Sequence, residues 1–287
     1  MTTRKLANLA ASVRQRLLNR AREEGRPFQE LATFYAMERF LFRLGRSAHA
    51  DRFVLKGGLM TFTWAGEHAR VTRDIDLLGW GVNSVDTVAQ RMREVLIVDA
   101  DDGVAFDVAS VSAKQITVEA AYVGVRVTFQ GDLAGMVLHL QVDVGFGDAV
   151  VPAPGWVDYP ELLDLGPPRV LGYPPEATLA EKLHAIVTLG LTNSRMKDYY
   201  DLWTAARIGN TTPESLGEAI RHTFARRKTP VPRELPVALT QAFVADSSKR
   251  AQWSGFLRKS KLDAPPLDEV VRASAELAAP AFALAAT

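Results

Sequence analysis

The 287-residue sequence contains no cysteine. This absence excludes disulfide bonds, thiolate metal sites and cysteine nucleophiles, and it is consistent with a reducing compartment. No apolar run reaches the roughly 18 residues that a membrane-spanning helix requires, and the N-terminus lacks the apolar segment and cleavage site of a secretory signal. We therefore expect a cytoplasmic protein that makes no membrane contact.

Several catalytic motifs are missing as well. The sequence has no Walker-type phosphate loop and no G-x-S-x-G nucleophile motif. The histidines show no metal-ligand spacing, so we expect them to be packing or surface groups. They are His49, His68, His139, His184 and His222. Carboxylates, cations and backbone amides remain as the groups that could carry chemistry.

Charge is nearly balanced overall, at +1, but it is unevenly distributed. Residues 1–52 carry 11 Lys/Arg and 5 Asp/Glu, residues 74–164 carry 4 and 15, and residues 221–261 carry 10 and 2. An acidic centre could hold cations, and basic ends could hold a polyanion such as nucleic acid. For any single one of these clusters, a solvated helix face is the more common explanation.

The spacing of apolar residues predicts an α+β fold. Helices are predicted at 5–24, 28–45, from Ser84 to about 98, and at 176–189, 195–207, 213–227, 235–245 and 267–278. Strands are predicted at 53–55, 74–78, 104–108, 115–119, 122–129 and 136–144. The Pro/Gly-rich stretch 151–172 is aperiodic and is predicted to be a linker. The predicted pieces are an N-terminal helical segment (1–50), a mixed α/β core (51–150), the linker (151–172) and a helical C-terminal domain (173–287).

The segment VTRDIDLLGW places Asp74 and Asp76 on the same side of a predicted strand. Two carboxylates directed together need a compensating cation, and Mg²⁺ is the natural one, with Mn²⁺ as an alternative. Asp143, at the end of the strand LHLQVDVG, offers a third carboxylate for a two-metal site. An isolated D-x-D is more often a turn or surface pair, but the downstream aspartate and an upstream glycine pair favour a metal site.

That glycine pair, Gly57-Gly58, ends a strand and precedes a short helix, where backbone N–H groups can approach phosphate. Taken alone, such a pair is more often a tight turn. Lys182 falls within the apolar face of its predicted helix and must either extend to solvent or meet an anion. Asp198 and Asp201 sit at the edge of the next helix, where an acid in the first turn is ordinarily stabilised by the helix dipole.

Five segments in order resemble the AbiEii/AbiGii-type nucleotidyltransferase toxins, which belong to the DNA-polymerase-β-like superfamily and include the MenT toxins. They are FVLKGG, RVTRDIDLL, LQVDVGFGD, EATLAEKLHAI and SRMKDYYDLW. The resemblance implies a polymerase-β-like core with a mixed sheet and Mg²⁺-dependent transfer of NMP from an NTP. It further implies the 3′ end of tRNA as acceptor, inhibition of translation and growth, and a cognate antitoxin.

The resemblance also assigns roles to residues. It implies metal binding by Asp74, Asp76 and Asp143, contact of Lys182 with the triphosphate, and an essential acid at Asp198, with Lys197 beside it among the nucleotide-binding residues. Asp201 stays open as the alternative acid or as a structural partner of Arg195 or Lys197. The superfamily's glycine–serine pair is Gly57-Gly58 here, so Thr72 or a backbone amide would replace the serine hydroxyl.

A basic C-terminal stretch is predicted to follow an RNA backbone, with Trp253 or Phe256 available for stacking. Its candidate residues are Arg226, Arg227, Lys228, Lys249, Arg250 and Arg258. Three other functions stay open at this point: nucleotidylation of a protein hydroxyl by the same core, a non-catalytic binding module that holds a structural cation, and a metal-dependent nuclease. The sequence does not specify the NTP, the particular acceptor, the action of the antitoxin or the oligomeric state.

Overall fold

The computed structural model describes residues 3–118 and 122–287, and these residues form two compact units. The sheet unit comprises the described residues within 1–63, 72–147 and 156–172. The helical unit comprises residues 64–71, 148–155 and 173–287. The four-part division predicted from the sequence stays a prediction.

The sheet unit contains a mixed seven-stranded sheet in the order β3-β4-β5-β2-β1-β7-β6. Its strands are β1 (Phe53–Lys56), β2 (Ile75–Gly79), β3 (Ala105–Val118), β4 (Tyr122–Leu133), β5 (Met136–Phe146), β6 (Gly155–Asp158) and β7 (Arg169–Gly172). β2 pairs antiparallel to β1 and parallel to β5. The central strand of the sheet is therefore the one that begins directly after Asp74.

Four helices begin in the sheet unit: α1 (Thr3–Glu23), α2 (Phe28–Arg46), α3 (Gly57–Ala65) and α4 (Val85–Leu96). α1 buries Val13, Leu17 and Ala21 at a spacing of four residues. The predicted start of α4 is confirmed, because the hydroxyl oxygen of Ser84 accepts a hydrogen bond of 3.2 Å from the Thr87 N–H. The helices predicted at 5–24 and 28–45 are likewise confirmed.

The prediction of two separate strands at 104–108 and 115–119 was wrong. They belong to one strand, β3, whose pairing with β4 shifts register between Asp107 and Ser112. Local polar side chains satisfy the backbone there, since Ser110 Oγ accepts from the Gln130 N–H at 2.8 Å. The strand therefore continues through residues that interrupt the apolar pattern. Glu119, the last residue of the predicted second strand, lies outside the described residues.

The stretch 151–172, predicted to be a linker, contains two strands that the sequence analysis did not predict. This stretch contains all of β6 and all of β7, and β7 pairs parallel to β1 through Val54–Leu171 and Leu55–Gly172. Both strands are only four residues long, which is too short for a periodic pattern to stand out among prolines and glycines.

The helical unit contains α5 (Pro175–Leu189), α6 (Met196–Ile208), α7 (Pro213–Arg226), α8 (Gln241–Ala245), α9 (Ser247–Ser260) and α10 (Leu267–Ala285). Its core includes Leu183, Tyr199, Ile220, Phe243 and Val270. The sequence missed α9 because its buried positions are only Lys249 and Trp253, which give no apolar stripe.

The α+β prediction is confirmed, with a mixed sheet followed by a helical C-terminal part. Within the described part of the chain, we find no helix with the length and apolar character needed to cross a membrane.

Candidate active site

Asp76 and Asp143 lie side by side at the centre of the sheet. β2 and β5 are parallel neighbours, and the Cα atoms of these two residues are register partners. Residues opposite each other in neighbouring strands project to the same face of the sheet. Asp74 lies one residue before β2 and is exposed, rather than inside a strand as predicted. The structure therefore brings two of the three predicted metal ligands together through strand register, with the third two residues away along the chain.

Arg126 on β4 contributes a cation to the acid site formed by Asp74, Asp76 and Asp143, and it is not among the site residues predicted from the sequence. Its Nε donates to Asp143 Oδ1 at 2.8 Å and its Nη2 donates to Oδ2 at 2.7 Å. Gln141 Nε2 donates to the same Oδ2 at 3.3 Å. Both carboxylate oxygens of Asp143 are thus engaged by a planar guanidinium fork.

The pKa of Arg126 is shifted by the carboxylates that surround it. The hydrogen bond to Asp143 raises this pKa above its ordinary value, desolvation opposes the shift, and the charges of Asp143, Asp74 and Asp76 add to it. Arg126 therefore lies in the electrostatic field of all three aspartates.

The sequence of the β4–β5 hairpin could have indicated that Arg126 lies opposite Asp143. Leu133 pairs with Met136, so the turn is Ala134-Gly135, and both residues have positive φ (52° and 81°). Two-residue hairpin turns of this kind fix the register of the strands. Counting outward from the turn places Arg126 opposite Asp143, as the structure does.

The donor chemistry of the acid site suits a divalent metal, although the predicted three-carboxylate cage is not assembled. Among the residues that the structure describes, no group of three or more His, Cys, Asp or Glu side chains is arranged to hold a metal ion. Mg²⁺ is usually held by one or two carboxylates together with substrate phosphates, and Asp74 and Asp76 supply hard oxygen ligands of that type. The guanidinium of Arg126 contacts both oxygens of Asp143.

Gly57 makes room for the Asp76 carboxyl group. Gly57 has φ +67°, and a Cβ atom placed on it would overlap the Asp76 side chain. A glycine is required here both for the backbone conformation and for the close approach. Gly58 follows at the start of α3, where its carbonyl accepts from Thr61 Oγ1 at 2.7 Å.

We expect Gly57→Ala to lower the nucleotidyl transfer implied by the family resemblance by about a hundredfold, because the methyl group would displace the Asp76 carboxylate from its place. Initial rates with a labelled NTP measure this effect. Gly81→Ala is the matched control, since Gly81 also has positive φ (90°) but an added Cβ would meet no atom within 4 Å. If both variants lose activity equally, backbone strain rather than the position of Asp76 explains the loss.

Thr72 lies close to the acids along the chain. Its hydroxyl is 3.5 Å from the Asp74 carbonyl oxygen, to which it donates. The structure thus places the proposed replacement for a serine hydroxyl beside Asp74, and its contact with phosphate stays a prediction.

A cavity of about 400 Å³ extends from Asp74 across the sheet unit. Two cross-strand pairs contribute to its wall, Thr128 with Gln141 and Gln130 with His139. These pairs continue the face that carries Arg126 and Asp143, because they lie at alternate positions of the same strands. His139 therefore lines a cavity next to the acids. The full lining is Arg73, Asp74, Ser110, Thr128, Phe129, Gln130, His139, Leu140 and Gln141.

A second charged cluster is buried within the helical unit and centres on Lys182. Lys182 Nζ lies 3.0 Å from Asp198 Oδ1 and 2.6 Å from Asp201 Oδ2. Arg195 Nε contacts Asp198 Oδ2 at 2.6 Å, and Arg70 Nε contacts Asp201 Oδ1 at 3.2 Å. Lys182 therefore meets anions rather than extending to solvent. The pairing of Asp201 with Arg195 or Lys197, held open above, was wrong, because its partners are Lys182 and Arg70.

The cluster stabilises its own charged forms. Burial alone would raise the pKa of Asp198, but Lys182 and Arg195 lower it to about 2. Burial would lower the pKa of Lys182, but Asp198 and Asp201 hold it above its ordinary value. Both groups are therefore charged at neutral pH.

Lys197 lies beside this cluster, and its side chain keeps exposed surface. Desolvation lowers the pKa of Lys197, and the positive charges of Arg70, Lys182 and Arg195 lower it further, against the opposing effect of Asp198. A surface lysine amid excess positive charge is a suitable anion contact.

The predicted RNA-binding stretch divides into exposed and internal cations. The Arg227 side chain is only 5% exposed, with Nη2 at 3.3 Å from Asp148 Oδ1, and buried Lys249 donates to the Asn193 carbonyl at 2.9 Å. Trp253 is buried too and donates to the Pro265 carbonyl at 2.9 Å. The prediction that these three side chains lie on an RNA-binding surface was wrong. A sequence shows that a side chain is charged or aromatic, but it does not show whether that side chain is buried. Arg226, Lys228, Arg250 and Arg258 have exposed side chains.

Comparisons with known proteins identify relatives of the chain. A family model described as nucleotidyl transferase AbiEii toxin, type IV TA system, matches residues 39–282. No curated protein matches the chain. Two crystal structures are similar to it: a candidate nucleotidyltransferase from H. pylori (15% identity, 90% of this chain and 95% of that chain, TM-score 0.47) and JHP933 from Helicobacter pylori (13%, 90% and 92%, 0.47).

Because the family model covers most of its length, the chain belongs to the AbiEii nucleotidyltransferase toxin family. The protein is a nucleotidyltransferase of a toxin–antitoxin family. Nucleotidyltransferases of this kind use an NTP and generally a divalent metal ion.

Proposed function

We propose that this protein transfers NMP from an NTP to the 3′ end of tRNA in the cytoplasm, and that the product blocks translation and growth until a cognate antitoxin intervenes. One observation carries the enzymatic part of this proposal. Asp76 and Asp143 are register partners on one sheet face next to Asp74, in a chain of the AbiEii family. Carboxylates that lie together on one face of a sheet are the groups that metal-assisted phosphoryl transfer requires.

Asp74 and Asp76 would hold a divalent ion, Mg²⁺ or alternatively Mn²⁺, with Asp143 as the third ligand. Bound there, the ion would offset phosphate charge and lower the pKa of the acceptor hydroxyl. In the reaction, the acceptor oxygen forms a bond to the α-phosphorus, the bond from that phosphorus to the pyrophosphate oxygen breaks, and the hydroxyl proton leaves to solvent.

The other residues act by positioning and electrostatics. Gly57 sets the place of the Asp76 carboxylate, and the backbone amides of Gly57 and Gly58, with the Thr72 hydroxyl, would contact phosphate. In the helical unit, Lys182 and Lys197 would bind phosphate.

Asp198 would act as a positioning residue in that unit. It accepts from both Lys182 and Arg195, and it therefore fixes two cations at once. Asp201 contacts both Lys182 and Arg70, and it would position these two cations in the same way.

Incubation with each α-labelled NTP, Mg²⁺ and either total RNA or total protein tests the proposal. The expected result is label on RNA of tRNA size that is lost on removal of the 3′-terminal nucleotide. Label on protein would replace the tRNA acceptor with a protein hydroxyl. Shortened RNA would indicate a nuclease, and no change with any NTP would indicate a binding module; either would overturn nucleotidyl transfer.

We expect tRNA binding to weaken with salt and to depend on the exposed cations. In Arg226→Gln/Lys228→Gln, the slope of log K against log [salt] should fall by about 0.7 for each phosphate that the variant no longer neutralises. Filter binding at four salt concentrations measures the slope. Arg16→Gln/Arg22→Gln removes the same charge from α1 as a control, and an equal change in both double variants would show that net charge, not this surface, sets the affinity.

A further inference from the structure

Asp143 already has a cation. The guanidinium of Arg126 spans both carboxylate oxygens at 2.8 and 2.7 Å, and Gln141 donates to one of them. The Arg126 side chain is 35% exposed and that of Asp143 is 18% exposed, so the pair sits at the rim of the acid site rather than in the core. Such a pair can open without unfolding the sheet, because the backbone partners of β4 and β5 do not depend on it.

A divalent ion and this guanidinium compete for the same oxygens. Mg²⁺ binds carboxylate oxygen at about 2.0–2.1 Å, which excludes an N–H donor from the same lone pair. A positive charge in the field of Asp74 and Asp76 also repels an incoming ion, since it partly neutralises the acids that would attract it. Arg126 therefore opposes metal binding by Asp143 while it holds both oxygens, through its charge and by occupying a lone pair of each, and this opposition falls when it releases one of them.

Released Arg126 has a suitable second partner. The same planar fork that fits a carboxylate fits two phosphate oxygens, which lysine cannot do. We propose that Arg126 is an exchangeable counter-cation of the acid site: it holds Asp143 in the metal-free protein and passes to a nucleotide phosphate when metal and NTP bind. This inference rests on the proposed metal site and adds a residue and a binding order to it.

The exchange makes metal and nucleotide binding cooperative. Without nucleotide, a metal ion that displaces Arg126 from Asp143 gives the guanidinium no phosphate in exchange. With nucleotide present, the phosphate compensates for the broken ion pair, and each ligand raises the affinity for the other by the same factor. Metal binding in the absence of nucleotide should accordingly be weak in the wild-type protein.

Mn²⁺ binding measured by electron paramagnetic resonance, without nucleotide and then with a non-hydrolysable NTP analogue, tests this exchange. In Arg126→Gln we expect about tenfold tighter Mn²⁺ binding without nucleotide and a smaller gain when the analogue is added. Lys114→Gln is the matched control, because Lys114 is the β3 partner of Arg126 and an exposed cation on the same sheet. Its removal should change Mn²⁺ affinity far less.

Adding Asp143→Asn to Arg126→Gln should abolish the tenfold gain. The proposal is overturned if Arg126→Gln leaves Mn²⁺ affinity unchanged or weakens it while its thermal unfolding remains cooperative. It is also overturned if Lys114→Gln gives the same gain, since general charge would then be the cause. The readout does not involve transfer, so a failure of the proposed reaction and a failure of the exchange are distinguished.

Discussion

Asp76→Asn should abolish most of the nucleotidyl transfer, with an expected loss of about a thousandfold in kcat/KM. Asparagine keeps the shape of the side chain but removes the negative charge that would hold a divalent ion. A loss of this size corresponds to about 4 kcal/mol of transition-state stabilisation, which is the scale of metal-ion catalysis. The measurement is incorporation of an α-labelled NTP at saturating Mg²⁺.

Asp86→Asn provides the control for this prediction. Asp86 is an exposed aspartate in the first turn of α4, and its substitution makes the same chemical change outside the acid site. It should retain nearly full activity. Full activity in Asp76→Asn would remove Asp76 from the catalytic residues and would contradict the proposed metal site.

The largest effect on stability is expected for Lys182→Met. Methionine fills a similar volume but leaves two buried aspartates, Asp198 and Asp201, each with one cation fewer. Breaking a buried ion pair by removing one partner costs about 3–5 kcal/mol, and the remaining contacts of Arg195 and Arg70 favour the lower end of that range. Urea unfolding at neutral pH should show a loss of about 3 kcal/mol.

Lys182→Met should also change how the free energy of unfolding depends on pH at acid pH. The folded-state pKa of Asp198 is about 2, below its ordinary value of 3.8. Its contribution to stability is therefore complete above about pH 4 and is lost as the pH falls from 4 towards 2. Without Lys182 the pKa of Asp198 should rise, so stability should depend less steeply on pH in this window.

Lys249→Met separates charge pairing from the burial of a lysine. Lys249 is also buried in the helical unit, but its ammonium donates to the Asn193 carbonyl rather than to a carboxylate. Its substitution should cost less and should leave this dependence at acid pH unchanged. Equal losses and equal pH profiles in the two variants would contradict the role given to the Lys182 cluster.

Much of the architecture could be predicted because it depends on local pattern. The apolar stripes of α1 and α2, the capping serine of α4 and the alternation in β5 each act over a few residues, and each was found where the sequence placed it. α9 and β7 were missed for the opposite reason. α9 buries a lysine and a tryptophan instead of an apolar stripe, and β7 is defined by its pairing with β1 rather than by its own four residues.

By itself, the sequence determined which side chains are available for chemistry: three aspartates, a glycine pair and a lysine on an apolar helix face, with no thiol among them. The tertiary structure alone decided which of these groups are neighbours. Asp76 meets Asp143 through strand register, Arg126 takes both Asp143 oxygens across a hairpin, and Arg227 and Lys249 turn inward to internal acceptors. The reason is that charge and residue type are properties of a position, whereas the partner of a charge is set by the packing of distant segments.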